Sequence, residues 1–298
     1  KFLLLIYNNR MNKNILFIGA NGYMGHGMSL NLLKQNNLYV IANRQRNNIE
    51  NLIKEGAKEI NSYQEIKNLD LDCLMLCVTN TPIAIEIANK VSSLLKSSTL
   101  VIDLTTHNKN GTKEMKDIFD RYKISFVVSP VMGSKNESLK GILGSIWGGD
   151  QSKFEESKVY LNTFCENIFN FGSVEKACAA KLLSNFLSLL TTTTVIEYFK
   201  SAKKLDVDWR KLFEVAKLGS GNSGALGRIA EKAISGDYKG YTFSVSNTLK
   251  DLTYINELLK DLPQAEKFSS IAKTFYEESV EKGNGDFLIS ELIQKEKY

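Results

Sequence analysis

Two kinds of periodicity divide this sequence and predict its fold class: an α/β domain built on a parallel sheet, then an all-α domain. In the first part, short apolar runs alternate with amphipathic stretches, the pattern of βαβ units. After Val174 strand-like runs disappear and helical periodicity takes over. Residues 175–204 then run without Gly or Pro, enough for one long interdomain helix of about 45 Å.

Each element has a local reason. NILFIG (14–19) is a short apolar run closed by glycine, as expected of a buried strand, and residues 23–34 carry Met24, Met28, Leu30 and Leu33 at helical spacing. LYVIAN (38–43), LDCLMLCV (71–78) and STLVIDL (98–104) read as further strands. Between the last two lies a helix over 82–95, with Pro82 placed where a first helical turn tolerates it. ISFVVSPV (124–131) and ILGSIWGG (142–149) continue the strand series. The character changes near Phe171 and Gly172, while GSGNSG (219–224) and GDYKG (236–240) break the helical part. The expected domains are therefore 11–173 and 174–298, with residues 1–10 an extension ahead of Met11.

Composition narrows the class. The 298 residues suit about two domains. Apolar residues at 43% and charged residues at 24% exclude a disordered chain. A net charge of +5 without a Lys/Arg stripe argues against nucleic acid. KFLLLI (1–6) is too short for a bilayer needing about 20 residues, and nothing after it approaches a membrane span. Four scattered cysteines, Cys73, Cys77, Cys165 and Cys178, fit reduced thiols in a cytoplasmic protein. Only two histidines exist, His26 and His107, too few for a His-based zinc site, so no metal is expected.

The chemistry starts at GANGYMG. Gly19, Gly22 and Gly25 sit where the first strand turns into the first helix, the context in which glycines let a backbone approach a pyrophosphate. The following helix would aim its N-terminal N–H groups at the phosphates. This makes the first domain a Rossmann-type dinucleotide-binding domain. An NAD site would normally place Asp or Glu at the end of the second strand. Here Asn43, Arg44, Gln45 and Arg46 stand instead, and a guanidinium can pair with a 2′-phosphate, so NADP(H) is expected over NAD(H).

For proton transfer, Lys181 stands out. It lies in ACAAKLLSNFLSLL, the most apolar stretch of the long helix, with Asn185 one turn on. A lysine in such surroundings either snorkels to the surface or works with a lowered pKa.

Six ordered motifs carry a resemblance. FIGANGYMGHGMSLNLLK (17–34), NRQ (43–45), DLTTHN (103–108), SPVMGS (129–134), KLLSN (181–185, with Glu197 sixteen residues after Lys181) and FSVSNTLKDL (243–252) resemble segments of the β-hydroxyacid dehydrogenase family. That family includes 3-hydroxyisobutyrate dehydrogenases and glyoxylate/succinic semialdehyde reductases. The resemblance implies Lys181 as general acid/base, with Asn185, Met132, Gly133 and Ser134 binding a substrate carboxylate. It implies cofactor contacts from Gly19, Asn21, Gly22, Tyr23, Met24, Gly25, Asn43, Arg44, Arg46, Val78, Thr79, Thr106, Phe243 and Lys250. A homodimer or homotetramer acting on a small carboxylate-bearing substrate, without nucleic acid or membrane, is the implied setting. Met132 stands where the family has serine, and GSK (133–135) together with the arginines leans toward the reductase branch. The expected reaction interconverts a short aldehyde or keto acid and its hydroxy acid. The alternatives are a 3-hydroxyisobutyrate-type oxidation or a catalytically silent NADP-binding sensor.

Overall fold

The computed structural model describes residues 12–42 and 46–295. Residues 1–10 and Asn43, Arg44 and Gln45 lie outside them. By backbone contacts the chain divides into two compact units, 1–181 and 182–298.

Among the described residues, the first unit is built on six parallel strands: β1 (Asn14–Ile18), β2 (Asn37–Val40), β3 (Lys58–Glu59), β4 (Cys73–Leu76), β5 (Leu100–Asp103) and β6 (Ser125–Val128). Their spatial order is β3-β2-β1-β4-β5-β6, so the sheet reverses direction of winding between β1 and β4. The helices α1 (Gly25–Leu33), α2 (Asn47–Lys54), α3 (Thr81–Val91) and α4 (Lys109–Arg121) make the crossovers. The central strands are apolar on both faces, as covered parallel strands must be. Leu16, Leu74 and Val101 belong to one core, while Ile15, Phe17, Cys73 and Met75 belong to the other.

ILGSIWGG does not extend this sheet. After β7 (Val131–Met132) and α5 (Lys135–Lys140), the strand β8 (Leu143–Trp147) pairs antiparallel with β7. Beyond α6 (Phe154–Leu161), β9 (Cys165–Asn170) pairs parallel with β8, giving a separate sheet of order β7-β8-β9. Pro130 marks the break: it has no N–H to donate to a ladder, and its carbonyl accepts from Ile146 instead.

The long helix α7 (Val174–Lys204) starts in the first unit and continues into the second. Its first turns are fixed by Gly148, where a Cβ would fall 2.4 Å from the Ser173 carbonyl oxygen and 2.5 Å from the Ala177 Cβ. By length and composition α7 could cross a membrane, so the expectation that nothing past the N-terminus approaches a span is too strong. Helix α7 nevertheless buries side chains along its length, among them Ala177, Leu182, Leu189, Ile196 and Phe199.

The second unit continues with α8 (Trp209–Leu218), α9 (Gly224–Ala233), α10 (Val245–Leu259), α11 (Pro263–Glu281) and α12 (Leu292–Lys295). Helices α10 and α11 form its most extensive helix pair, burying Leu252, Ile255, Leu259, Ala272 and Tyr276. Asp208, Ser223 and Ser244 cap α8, α9 and α10 by accepting from Lys211, Leu226 and Asn247 N–H groups. Thus GSGNSG ends as an N-cap, since Ser223 starts the next helix.

Candidate active site

The glycine turn lies at the C-terminal end of β1, next to the point where the sheet reverses, which is where open α/β sheets bind ligands. Gly19 holds φ +98°, and a Cβ there would sit 2.0 Å from the Cys77 carbonyl oxygen. At Gly25 a Cβ would sit 2.1 Å from the Gly19 carbonyl oxygen. No side chain fits at either position. Helix α1 then begins at Gly25 with no acidic residue in its first turn and no side-chain cap, and the His26 N–H donates to the Gly22 carbonyl at 3.1 Å. This is a cradle that fits a dinucleotide pyrophosphate.

Surrounding residues brace the turn. Asn48 donates from its backbone N–H to Asn21 Oδ1 at 3.3 Å and from Nδ2 to the Asn21 carbonyl at 2.9 Å. His26 Nε2 pairs with Asn51 Oδ1 at 2.8 Å. Tyr23 is half exposed, with the Lys135 ammonium 5.6 Å from its ring centre, and Met24 is partly buried. Of the residues read at the end of the second strand, only Arg46 is described. Its guanidinium faces Glu59 with two hydrogen bonds, 2.9 and 2.8 Å, rather than an open phosphate position. That pairing holds the Arg46 pKa above its ordinary value.

The loops after β4 and β5 are locked together by a network that no sequence motif announces. Thr105 Oγ1 accepts from the Val78 N–H at 3.1 Å. Asp103, fully buried at the end of β5, accepts the Thr105 N–H on Oδ1 at 2.8 Å and faces His107 Nε2 through Oδ2 at 2.7 Å. On its other side His107 Nδ1 meets Thr81 Oγ1 at 3.1 Å. The imidazole thus bridges the two loops, with Asp103 on Nε2 and Thr81 on Nδ1. Thr79 is exposed and Thr106 half-buried on the two loops so joined. Replacing His107 by leucine leaves the buried Asp103 Oδ2 without that partner, and we expect a loss of about 2–4 kcal/mol in unfolding free energy, read by denaturant titration. A loss below about 0.5 kcal/mol, the range of an ordinary surface change, would show that the pair carries no stability.

The network reaches α7. The Cys178 thiol donates to the His107 carbonyl at 3.2 Å, and one turn later Lys181 Nζ donates to the Val131 carbonyl at 2.9 Å. Lys181 is 9% exposed, so its ammonium is aimed inward rather than snorkelling. The residues following Val131 form the predicted substrate loop. Met132 is partly buried, with its Cε 3.0 Å from where a Cβ on Gly144 would lie. Gly133 takes φ +133°, and Ser134 caps α5 in a box with Glu137.

In the second unit, Asn185 Nδ2 donates to Asp251 Oδ2 at 2.7 Å. The buried Asp251 also lies 3.0 Å from Lys250 Nζ, through Oδ1. That contact is a close ion pair of poor hydrogen-bond alignment, since Oδ1 lacks a geometric hydrogen-bond partner. The family resemblance points to Lys250 alone, although Asp251 stands next to it in KDL. Phe243 is partly buried just before the Ser244 cap of α10. Glu197 pairs with the buried Lys200 at 2.9 Å on α7. Among the described residues no group of three His, Cys, Asp or Glu side chains could hold a metal ion.

Comparison with known proteins decides the family. Residues 14–172 match the NAD-binding domain of 6-phosphogluconate dehydrogenase, and residues 176–295 match the NAD-binding domain of NADP-dependent 3-hydroxyisobutyrate dehydrogenase. This chain belongs to the β-hydroxyacid dehydrogenase family. Among relatives of this dehydrogenase, a probable mitochondrial 3-hydroxyisobutyrate dehydrogenase of Dictyostelium discoideum is 26% identical, covering 96% of this chain and 92% of its own. A chloroplastic glyoxylate/succinic semialdehyde reductase 2 of Arabidopsis thaliana is 25% identical, covering 94% and 78%. A crystal structure of 3-hydroxyisobutyrate dehydrogenase from Salmonella typhimurium shares the fold at a TM-score of 0.85, with 20% identity and coverage of 95% and 99%. The β-hydroxyacid dehydrogenase assignment makes the chain an oxidoreductase of the NAD(P)-dependent hydroxyacid dehydrogenase class.

Proposed function

We propose that the protein is an NADP(H)-dependent reductase of short aldehydes or keto acids, with Lys181 as the general acid/base. The observation that carries the reading is Lys181 itself: a buried ammonium held at 2.9 Å on the Val131 carbonyl, beside the predicted substrate loop. When bound, the nicotinamide nucleotide supplies the hydride. Gly19, Gly22 and Gly25 would hold its pyrophosphate, because Gly19 and Gly25 leave room that no side chain could occupy.

Lys181 would hold a proton at Nζ for the carbonyl oxygen of the substrate, and in the reverse direction its neutral amine would receive the proton from the hydroxyl. The Val131 carbonyl accepts one of the three Nζ protons and so fixes where the others point. Asn185, one turn along α7 from Lys181, is oriented by Asp251. Preference for NADP(H) is supported by the absence of an acidic residue at 43–46, where an NAD site would carry a carboxylate. Arg46 would have to leave Glu59 to meet a 2′-phosphate. The reductase branch is supported by the Arabidopsis thaliana relative, named for glyoxylate and succinic semialdehyde.

The test is nucleotide oxidation followed by absorbance, NADPH against NADH, with glyoxylate and with succinic, methylmalonate and tartronate semialdehydes. We expect NADPH consumption with at least one of them and slower consumption of NADH. Equal rates with both nucleotides would remove the cofactor preference. No turnover alongside intact NADPH binding would remove the reductase reading.

A further inference from the structure

We infer that Lys135 is a further nucleotide-binding residue, a cation held over Tyr23 that pairs with the pyrophosphate at the mouth of the glycine cradle. The inference rests on that cradle holding a dinucleotide, as proposed above, and is independent of which substrate the enzyme turns over.

The cradle offers donors but no charge of its own. Among the described residues, the N–H groups of Tyr23, Met24 and Gly25 have no hydrogen-bond partner, whereas the Gly22 N–H is spent on the Gly19 carbonyl at 2.9 Å. No residue from Gly19 to Gly25 is ionisable near neutral pH. Backbone dipoles favour an anion there, yet they supply only partial positive charge.

Lys135 brings a full one from a neighbouring segment. Its ammonium stands 5.6 Å from the centre of the Tyr23 ring, and Tyr23 belongs to the turn itself, between Gly22 and Gly25. Among the described residues Lys135 has no carboxylate partner. The reason is local: Glu137, the one acid of α5, is turned to the Ser134 N–H at 2.9 Å and to the Ser134 hydroxyl. A tyrosine face holds an exposed ammonium weakly, and a ring takes up none of the acceptor capacity that a phosphate would offer.

Helix packing fixes where this lysine starts. Asn31 donates from Nδ2 to the Ser138 and Leu139 carbonyls at 2.9 and 3.2 Å. The Ser138 hydroxyl donates to the Met24 carbonyl, in the turn, at 2.8 Å. Gly27 admits this approach of α5 to α1, since a Cβ there would lie 2.5 Å from Ser138 Oγ. The backbone of Lys135 is thereby held beside the cradle, and its long side chain can pass from ring to phosphate by rotamer change alone. Lys135 also follows Gly133 and Ser134, so a substrate carboxylate is the competing partner. The contact with Tyr23 favours the nucleotide, because the ring is part of the phosphate turn.

The test is calorimetric titration of the full-length protein with NADPH and with ADP-ribose, which keeps the pyrophosphate but has no nicotinamide. Lys135→Met retains most of the side chain and loses the charge. Its dissociation constants for both nucleotides should rise about tenfold, the scale of one charge-assisted contact. Lys135→Arg should stay within about threefold of wild type. The methionine deficit should nearly vanish at about 1 M salt, where exposed charges are screened. Lys140, at the other end of α5, is the control, and Lys140→Met should leave both constants within about twofold.

Wild-type affinity for ADP-ribose in Lys135→Met overturns the inference, and so does an equal loss in Lys140→Met, which would reflect overall charge only. A raised KM for succinic semialdehyde with ADP-ribose affinity unchanged would reassign the lysine to the substrate. If the wild-type protein binds neither nucleotide, the cradle itself fails, and the role of Lys135 falls with it.

Discussion

Lys181→Ala lowers turnover by about 10²–10⁴ while leaving the NADPH dissociation constant within about twofold, because general acid–base help is lost and the phosphate cradle is not touched. The two readouts separate because the residues do. Lys181 meets the Val131 carbonyl, whereas the cradle is made by Gly19, Gly22 and Gly25 at the end of β1. Lys181→Arg sharpens the point. The charge is retained, yet a guanidinium cannot give up its proton in a protein, so the reverse oxidation should fall as far as it does in the alanine variant. The measurements are NADPH fluorescence titration for binding and stopped-flow absorbance for a single turnover. Wild-type single-turnover rates in the alanine variant would remove Lys181 from the chemistry. An equal loss of nucleotide binding would instead make it a structural lysine of α7.

How far the sequence shows this arrangement depends on the length of the signal behind each element. The strands β1, β4 and β5 are buried on both faces, so they appear as continuous apolar runs. The edge strand β3 has two residues, Lys58 and Glu59, and no hydrophobic pattern to show. β9 reads CENIFN with Glu166, Asn167, Phe169 and Asn170 exposed, as befits the edge strand of the small sheet. The same contrast holds at the site. Glycines at a strand–helix junction and a lysine in an apolar helix are visible because residue type and local context agree.

The Asp103–His107 pair, the Asn185–Asp251 contact and the hold of Glu137 on Ser134 are partnerships of side-chain direction. Only the last has a local spacing signature, Ser134 followed by glutamate three residues on, which is a capping box whichever ligand the loop meets. Asp103 and His107 are four apart in a segment that is not a helix, so no periodicity brings them together.

Gly19→Ala gives the second large effect, this time on folding and cofactor binding together. Two costs coincide at this residue. Its φ of +98° is a conformation that side-chain-bearing residues rarely hold, and the added Cβ would fall 2.0 Å from the Cys77 carbonyl oxygen. The first cost is on the order of 1–3 kcal/mol. The second cannot be relieved by a rotamer change, since a Cβ is fixed to the chain and meets backbone, and Gly19 and Cys77 directly follow the neighbouring central strands β1 and β4. Either β4 moves away from β1, opening fully buried cores on both faces, or the turn abandons the shape that admits a pyrophosphate.

We expect a combined loss of about 3–5 kcal/mol, a large part of the roughly 5–15 kcal/mol that holds a typical domain folded. NADPH binding should disappear even where the variant remains folded. Gly56→Ala isolates the conformational part. It has a similar φ of +109°, but nothing lies within 4 Å of its added Cβ, so it should cost only that conformational part, about 1–3 kcal/mol, and leave nucleotide affinity unchanged. Denaturant titration of both variants, with NADPH fluorescence on the folded protein, reads the difference. Equal destabilisation of the two would mean that the sheet yields at Cys77, and that the turn is held by its backbone angles alone.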